Sequence, residues 1–299
     1  MLNGTRVTMI GGDARQLVVI RKLVEAGAAV QIIGFDNWEG HIDGVSKAEL
    51  VPEAMISADV VLLPAAGTDD EGYIESVFSA DPLPFSVDLV KALPAHARVF
   101  AGMAKPYLKR LCQEQGVALT ELFARDDVAI WNSIPTAEGA LLMAIQNTDF
   151  TIHSSACLVL GLGRTGLTMA HTLKGLGAHV AVGVRKPEHY ARASAMGYEP
   201  FYMGELPERA AQADIIFNTV PAMVLPADII ARLPFHALII DLASKPGGTD
   251  FKYAEKRGIK AMLAPGLPGI VAPRTAGRII GETICLMLME NSADGGERL

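Results

Sequence analysis

Residues 156–186 read ACLVLGLGRTGLTMAHTLKGLGAHVAVGVRK. An apolar run ends at Gly161, and Gly161, Gly163 and Gly166 form G-x-G-x-x-G. A helical pattern follows, and a second apolar run ends at Arg185 and Lys186. Strand, glycine turn, helix and strand in that order commit the chain to a parallel βαβ unit. The first glycine permits the tight turn, the second lets the backbone approach a pyrophosphate, and the third lets helix and strand pack closely. The helix then aims its N-terminal amides at the anion. Gly161, Gly163 and Gly166, with Arg164 and Thr165 between them, are the expected cradle of a dinucleotide.

The end of the second strand chooses between cofactors. A site for NAD usually places an acid there to accept from the ribose 2′-hydroxyl. This chain has Arg185 and Lys186 instead. A guanidinium can stack on adenine and pair with a 2′-phosphate, helped by the ammonium beside it. The spacing therefore predicts NADP(H).

At 299 residues the chain is long for one core, so two domains are expected. Strand-like and helix-like patterns alternate through both halves, which predicts an α/β protein of two Rossmann-like domains with parallel sheets. The expected division is residues 1–135 as an N-terminal substrate or catalytic domain and 136–150 as an interdomain helix. Residues 151–274 follow as the NADP-binding domain, and 275–299 as a C-terminal helix and frayed polar tail returning to the first domain. In NSIPTAEGA, Pro135 and Thr136 carry helix-start chemistry, with Glu138 in the first turn.

A second glycine turn, GGDARQ, follows the first strand, but Gln16 stands where the third glycine belongs. This domain reads as a nucleotide fold that has lost its nucleotide. Its turn still lies where ligands of open α/β sheets bind. Asp13, Arg15 and Gln16 are thus candidate substrate contacts, with Arg15 able to clamp a carboxylate; the alternative is a surface arginine in a helix's first turn.

Two loops after later strands, FNTVPA and DLASKPGG, are expected to border the nicotinamide end of the cofactor site. Thr219, Val220 and Pro221 would form a wall, with Ser244 and Lys245 near the reacting atoms; ordinary turns are the alternative. Lys105 in AGMAKP and Arg274 in PGIVAPRTAG join Arg15 as a cationic set suited to a small di-acid, facing an expected interdomain cleft. Lys105, Glu138 and Arg274 are the catalytic candidates, and Ser133 and Thr136 could donate to a carboxylate or a ring nitrogen. The seven histidines show no metal spacing, and no metal site is expected.

Composition narrows the class. Half the residues are hydrophobic and 20% are charged, which is globular rather than disordered. A net charge of −7 argues against a general binder of nucleic acid or membrane surfaces. Three widely spaced cysteines suggest a reducing cytosol, with Cys157 packed in a strand. The N-terminal residues lack a secretory pattern, so a cytoplasmic protein is expected.

The general plan resembles two-domain NAD(P) dehydrogenases, including D-2-hydroxyacid dehydrogenases and alanine dehydrogenase. The hydroxyacid enzymes carry a histidine in a TPH turn before the last helix; here that turn reads APR, with Arg274. Their ARG is ASK at Ala243 to Lys245, so their chemistry is not expected. Across the whole chain, IGGDARQ, NSIPTAEGA, VLGLGRTG, NTVPA, DLASKPGGTDF and LPGIVAPRTAGRI resemble the dipicolinate synthase A subunits of endospore-forming bacteria.

That resemblance implies work with a B subunit, in the mother cell of a sporulating bacterium, on a branch of the lysine/diaminopimelate pathway. Dihydrodipicolinate would be oxidised to dipicolinate, its hydride going to NADP+ and its proton to Glu138, Lys105 or water. Two alternatives stay open: a cofactor-binding regulatory subunit of that complex, or a dehydrogenase for another small di-acid. A homo-oligomer is expected for this architecture.

Overall fold

A computed structural model describes residues 1–294. The chain forms two compact units, Met1–Val128 with the segment from Pro273 onward, and Ala129–Ala272. Each is built on a six-stranded parallel sheet.

In the first unit β1 (Arg6–Ile10) leads through α1 (Ala14–Glu25) to β2 (Ala29–Ile33), β3 (Val45–Lys47) and β4 (Val60–Leu62). A two-stranded hairpin of β5 (Tyr73–Ile74) and β6 (Leu83–Pro84) comes next, then α2 (Val87–Lys91), β7 (Arg98–Ala101), α3 (Pro106–Glu114) and β8 (Ala118–Glu121). The sheet order is β3-β2-β1-β4-β7-β8. Alternate residues face opposite layers, as the pleat requires. Val7, Met9, Val30 and Ile32 pack with Val19, Ile20 and Leu23 of α1, whereas Ile10, Ile33 and Val61 pack with α2 and α3.

The first of those layers is completed by the last helix, α11 (Pro273–Asp294), through Ile280, Ile284 and Leu288. Gly277 lies against the Arg15 carbonyl and Val18, and Gly281 against Val19 and Lys22, so α1 and α11 run in the same direction. The helix continues past Glu290 to Asp294, and the remainder of the expected frayed tail lies outside the described residues.

The second unit begins within α4 (Asp126–Asn147) and runs β9 (Ala156–Leu160), α5 (Arg164–Gly175), β10 (His179–Val184), α6 (Pro187–Ala195) and β11 (Glu199–Tyr202). Then come α7 (Leu206–Ala210), β12 (Ile215–Asn218), α8 (Ala227–Ile230), β13 (Leu238–Asp241), α9 (Phe251–Arg257), β14 (Lys260–Leu263) and α10 (Leu267–Val271). The order β11-β10-β9-β12-β13-β14 repeats that of the first sheet.

Helix α4 differs from the sequence expectation: it starts at Asp126, leaving Pro135 inside. Asp126 and Asp127 favour the positive end of the helix dipole, a signal stronger here than the proline. Ser133 Oγ donates to Ile130 O (2.6 Å) and Thr136 Oγ1 to Asn132 O (2.7 Å), so these hydroxyls bond within the helix rather than cap it. By length and composition α4 could cross a membrane, yet Ala137, Ala140, Leu141 and Ala144 are buried in the second unit's core.

Candidate functional site

The carboxyl end of the second sheet carries a pocket of about 260 Å³. Gly161 follows β9 directly, with its amide donating to Gly183 O at the end of β10 (2.9 Å). Its φ of +94° is left-handed, and a Cβ there would lie 2.7 Å from Thr219 Oγ1. A Cβ at Gly166 would run into the Gly161 carbonyl, so α5 and β9 meet only through glycine. Gly163 faces open space and leaves the start of α5 without a side-chain cap. This is the cradle that a pyrophosphate needs: a helix end with no internal side-chain acceptor and no side chain in the way.

Gly161, Gly163, Arg185, Lys186, Thr219, Val220 and Pro221 all line the pocket. Arg164, Thr165 and Gly166 lie in the first turn of α5, and Ser244 is exposed on the loop after β13. The residues present fit a nicotinamide dinucleotide: a glycine cradle at one side, a basic end at another, and an apolar wall between them. Sequence reasoning missed His189 and Met203, which also line the pocket.

It also missed the support behind the wall. Asn218 and Asp241 are fully buried at the ends of β12 and β13. Asn218 Nδ2 donates to Asp241 Oδ1 (2.9 Å), and Asn218 Oδ1 accepts from Val220 N (3.0 Å). The other Asp241 oxygen accepts from Gly248 N (2.8 Å) and Thr249 Oγ1 (2.6 Å). One carboxylate thus organises both loops that follow these strands. The available signal was a lone polar residue ending each of the apolar runs IIFN and LIID.

The first sheet treats the same position differently. Gly11 follows β1 with φ +62°, but the next amide, Gly12 N, donates to Glu75 O (2.9 Å), and Val77 N donates back to Gly12 O (2.9 Å). The segment after β5 therefore lies against the turn. Asp13 and Gln16 close a capping box on α1, and the buried Gln16 Oε1 accepts from Asp13 N (2.8 Å). Asp36, the acid at the end of β2, accepts from Ser79 Oγ (2.8 Å). The groups that would hold a dinucleotide are engaged within the protein.

A smaller cavity of about 80 Å³ remains beside that turn, lined by Gly12, Asp13, Arg15, Pro64, Ala65, Ala66, Glu75 and Val77. Arg15 grips Asp13 through Nε (2.9 Å) and Nη2 (2.6 Å). Burial raises the Asp13 carboxyl, but the Arg15 side-chain and backbone hydrogen bonds and its charge outweigh this and hold it below its ordinary value. A guanidinium has five N–H donors, so Arg15 keeps donors for a ligand. Arg274 is exposed at the start of α11, the end that lies nearest the start of α1. Lys105 is the N-cap of α3, with its ammonium 3.4 Å from Asp70. Its loop packs on the one after β4, Met103 N donating to Ala65 O (2.8 Å). Three expected cations thus share the carboxyl edge of one sheet, and only Arg15 lines the cavity.

The other expected substrate contacts are in the second unit, on α4. Ser133 is buried, its hydroxyl bonded to Ile130 O and Thr168 Oγ1 (2.6 Å), while Glu138 is exposed. No group of acidic, histidine or cysteine side chains able to hold a metal occurs among the described residues.

Comparison with known proteins gives two family matches: the N-terminal domain of the dipicolinate synthase A subunit over residues 6–123, and the NAD-binding domain of D-isomer-specific 2-hydroxyacid dehydrogenases over residues 136–243. The dipicolinate synthase A subunit of Bacillus subtilis strain 168 is 46% identical over 297 residues, which is 99% of this chain and all of that one. The crystal structure of the Bacillus halodurans A subunit superposes with a TM-score of 0.94 at 46% identity, covering 96% of this chain and 99% of that one. The Bacillus subtilis crystal structure gives the same TM-score and identity over 98% and 99% of the two chains.

Proposed function

The chain belongs to the family of dipicolinate synthase A subunits, and on that footing we propose that it oxidises dihydrodipicolinate to dipicolinate with NADP+, together with a B subunit. It is a dehydrogenase-type protein whose second unit serves a nicotinamide cofactor. The observation that carries the finer reading is that the glycine cradle and the pair Arg185 and Lys186 line one pocket. A carboxylate in place of Arg185 would repel a 2′-phosphate, whereas a guanidinium can pair with it through two hydrogen bonds.

The reaction removes a hydride and a proton from the dihydro ring and leaves the aromatic di-acid. NADP+, when bound, supplies the hydride acceptor. The protein's share is to bind and orient a substrate with two carboxylates. Arg15, Lys105 and Arg274 are suited to that grip by charge-assisted hydrogen bonds. Gln16, Ser133 and Thr136 already bond internally, so the cations carry it. Aromatisation drives the step, so a weak acceptor such as Glu138, Lys105 or water suffices for the proton.

Partner and location follow the same reading: a B subunit, and the cytoplasm of a sporulating mother cell. Trp131, Ile134, Leu142 and Ile145 are exposed along α4, an apolar stripe that supports a homo-oligomer.

The test is absorbance at 340 nm with freshly generated dihydrodipicolinate, with and without the B subunit, using NADP+ and NAD+ in parallel. Turnover faster with NADP+ than with NAD+ is expected, by the chain alone or with the B subunit present. Turnover only with the partner would place part of the active site on the B subunit. Cofactor binding without reduction under any condition would overturn the enzyme reading in favour of a regulatory role.

A further inference from the structure

The basic end of the cofactor pocket has a third member. His189 lines it beside Arg185 and Lys186, on the first turn of α6. Its backbone amide donates to Lys186 O (3.1 Å), which places the residue one helical turn on from the two cations. The residue is half-buried, and its ring makes no hydrogen bond or ion pair with any described residue. The next residue, Tyr190, stacks on Tyr202 with ring centroids 4.8 Å apart, and Met203 contributes an apolar surface to the same pocket as His189. The ring is thus held at the pocket wall with both nitrogens available.

We propose that His189 is a specificity-determining residue: its imidazole joins Arg185 and Lys186 in a cup that recognises the 2′-phosphate of NADP(H) and disregards the 2′-hydroxyl of NAD(H). The inference rests on the NADP reading above and goes beyond it by assigning a residue. A phosphate offers three acceptor oxygens and up to two charges, enough for three donors. A ribose hydroxyl offers no charge, so an imidazolium gains little from it. Lys186 lies 3.8 Å from Glu188, with both side chains about two-thirds exposed, a pair weak enough for the ammonium to turn to a ligand.

The experiment measures dissociation constants of NADPH and NADH by nucleotide fluorescence at pH 6. The proteins are wild type, His189→Gln, His189→Lys and Arg185→Ala, with melting temperatures as a check on folding. Expected at pH 6 is a roughly tenfold loss of NADPH affinity in His189→Gln, the scale of one charge-assisted hydrogen bond. NADH affinity stays constant. His189→Lys holds NADPH.

A His189→Gln protein that keeps wild-type NADPH affinity at pH 6, while Arg185→Ala loses it, overturns the assignment of His189 alone. Equal loss for NADPH and NADH also overturns it, since the ring would then act on the shared part of the nucleotide. Equal affinity of wild type for the two cofactors, indifferent to Arg185→Ala, instead removes the NADP reading beneath.

Discussion

Gly11 and Gly161 occupy one position in two sheets of identical strand order, each the residue after the first strand of its unit, each with a left-handed φ. Beyond them the turns diverge. After Gly161, the helix starts at Gly163 with no side-chain cap and opens on a pocket. After Gly11, the turn amide bonds to Glu75 O, and Asp13, Arg15 and Gln16 form a closed polar knot at the start of α1. The same backbone geometry serves an external anion in one case and an internal carboxylate in the other. A helix N-terminus needs a negative partner, and whether the chain or a ligand supplies it decides what the fold can bind.

The sharpest way to break this comparison is to exchange the crowding at the third position. Gly166→Ala forces a methyl against the Gly161 carbonyl, where backbone must move. It should abolish nucleotide binding and cost about 1–3 kcal/mol of stability. Gln16→Ala removes half of a capping box and should cost about 1 kcal/mol while leaving nucleotide affinity unchanged. Denaturant titration and nucleotide fluorescence read both; loss of nucleotide binding in Gln16→Ala would mean that the first turn is not closed after all.

A smaller effect should separate substrate from cofactor. Arg274→Ala is expected to raise KM for the di-acid roughly tenfold or more, with KM for NADP+ changed by less than about twofold. Steady-state kinetics with each ligand varied in turn decides it, and equal shifts would remove Arg274 from the substrate grip.

The mildest effect concerns acid. Asp13, Asp59, Glu121 and Asp127, all in the first unit, are held below their ordinary carboxylate values. For Asp59 burial works upward but hydrogen bonds from His96 and Arg6 prevail; for Glu121 burial is likewise outweighed, by Lys109 and the Ala104 amide. For Asp127 the Arg125 guanidinium is the main cause. Carboxyls lowered in the folded state stabilise it above the unfolded value near pH 4 and lose that contribution as pH falls through the lower native values. Hydrogen-exchange protection should therefore fall in β1 and α1 before β9 and α5 as pH drops from about 5 to about 2. The reverse order would show that these ion pairs do not govern the first unit's stability.

Much of this contrast was legible in the sequence, because close approach leaves a residue-type signature. Gly161 and Gly166 had to be glycine, Gly163 leaves the space a ligand needs, and Gln16 announced a turn of another kind. Arg185 and Lys186 were readable as the end of a strand. His189 was not, since position 189 reaches the pocket only through the direction α6 takes after Pro187. Asn218 and Asp241 looked like ordinary strand ends until their shared hydrogen bonds tied two loops together. The start of α4 was misplaced because Pro135 resembles an opening residue, while the dipole preference of Asp126 and Asp127 operated nine residues earlier in the chain. The hairpin of β5 and β6 is too short to leave any periodicity.

The seating of α11 on α1 has a consequence for how the protein is made. The second unit is contiguous, whereas the first is written in two pieces with the other between them. As the chain leaves the ribosome, Val19, Ile20 and Leu23 emerge early, but Ile280, Ile284 and Leu288, which cover that layer, arrive only after the whole second unit. At 5–20 residues per second the wait is on the order of ten seconds. The nucleotide cradle can close while the older half of the polypeptide still has an uncovered apolar layer, so the unit translated first is the last to be finished.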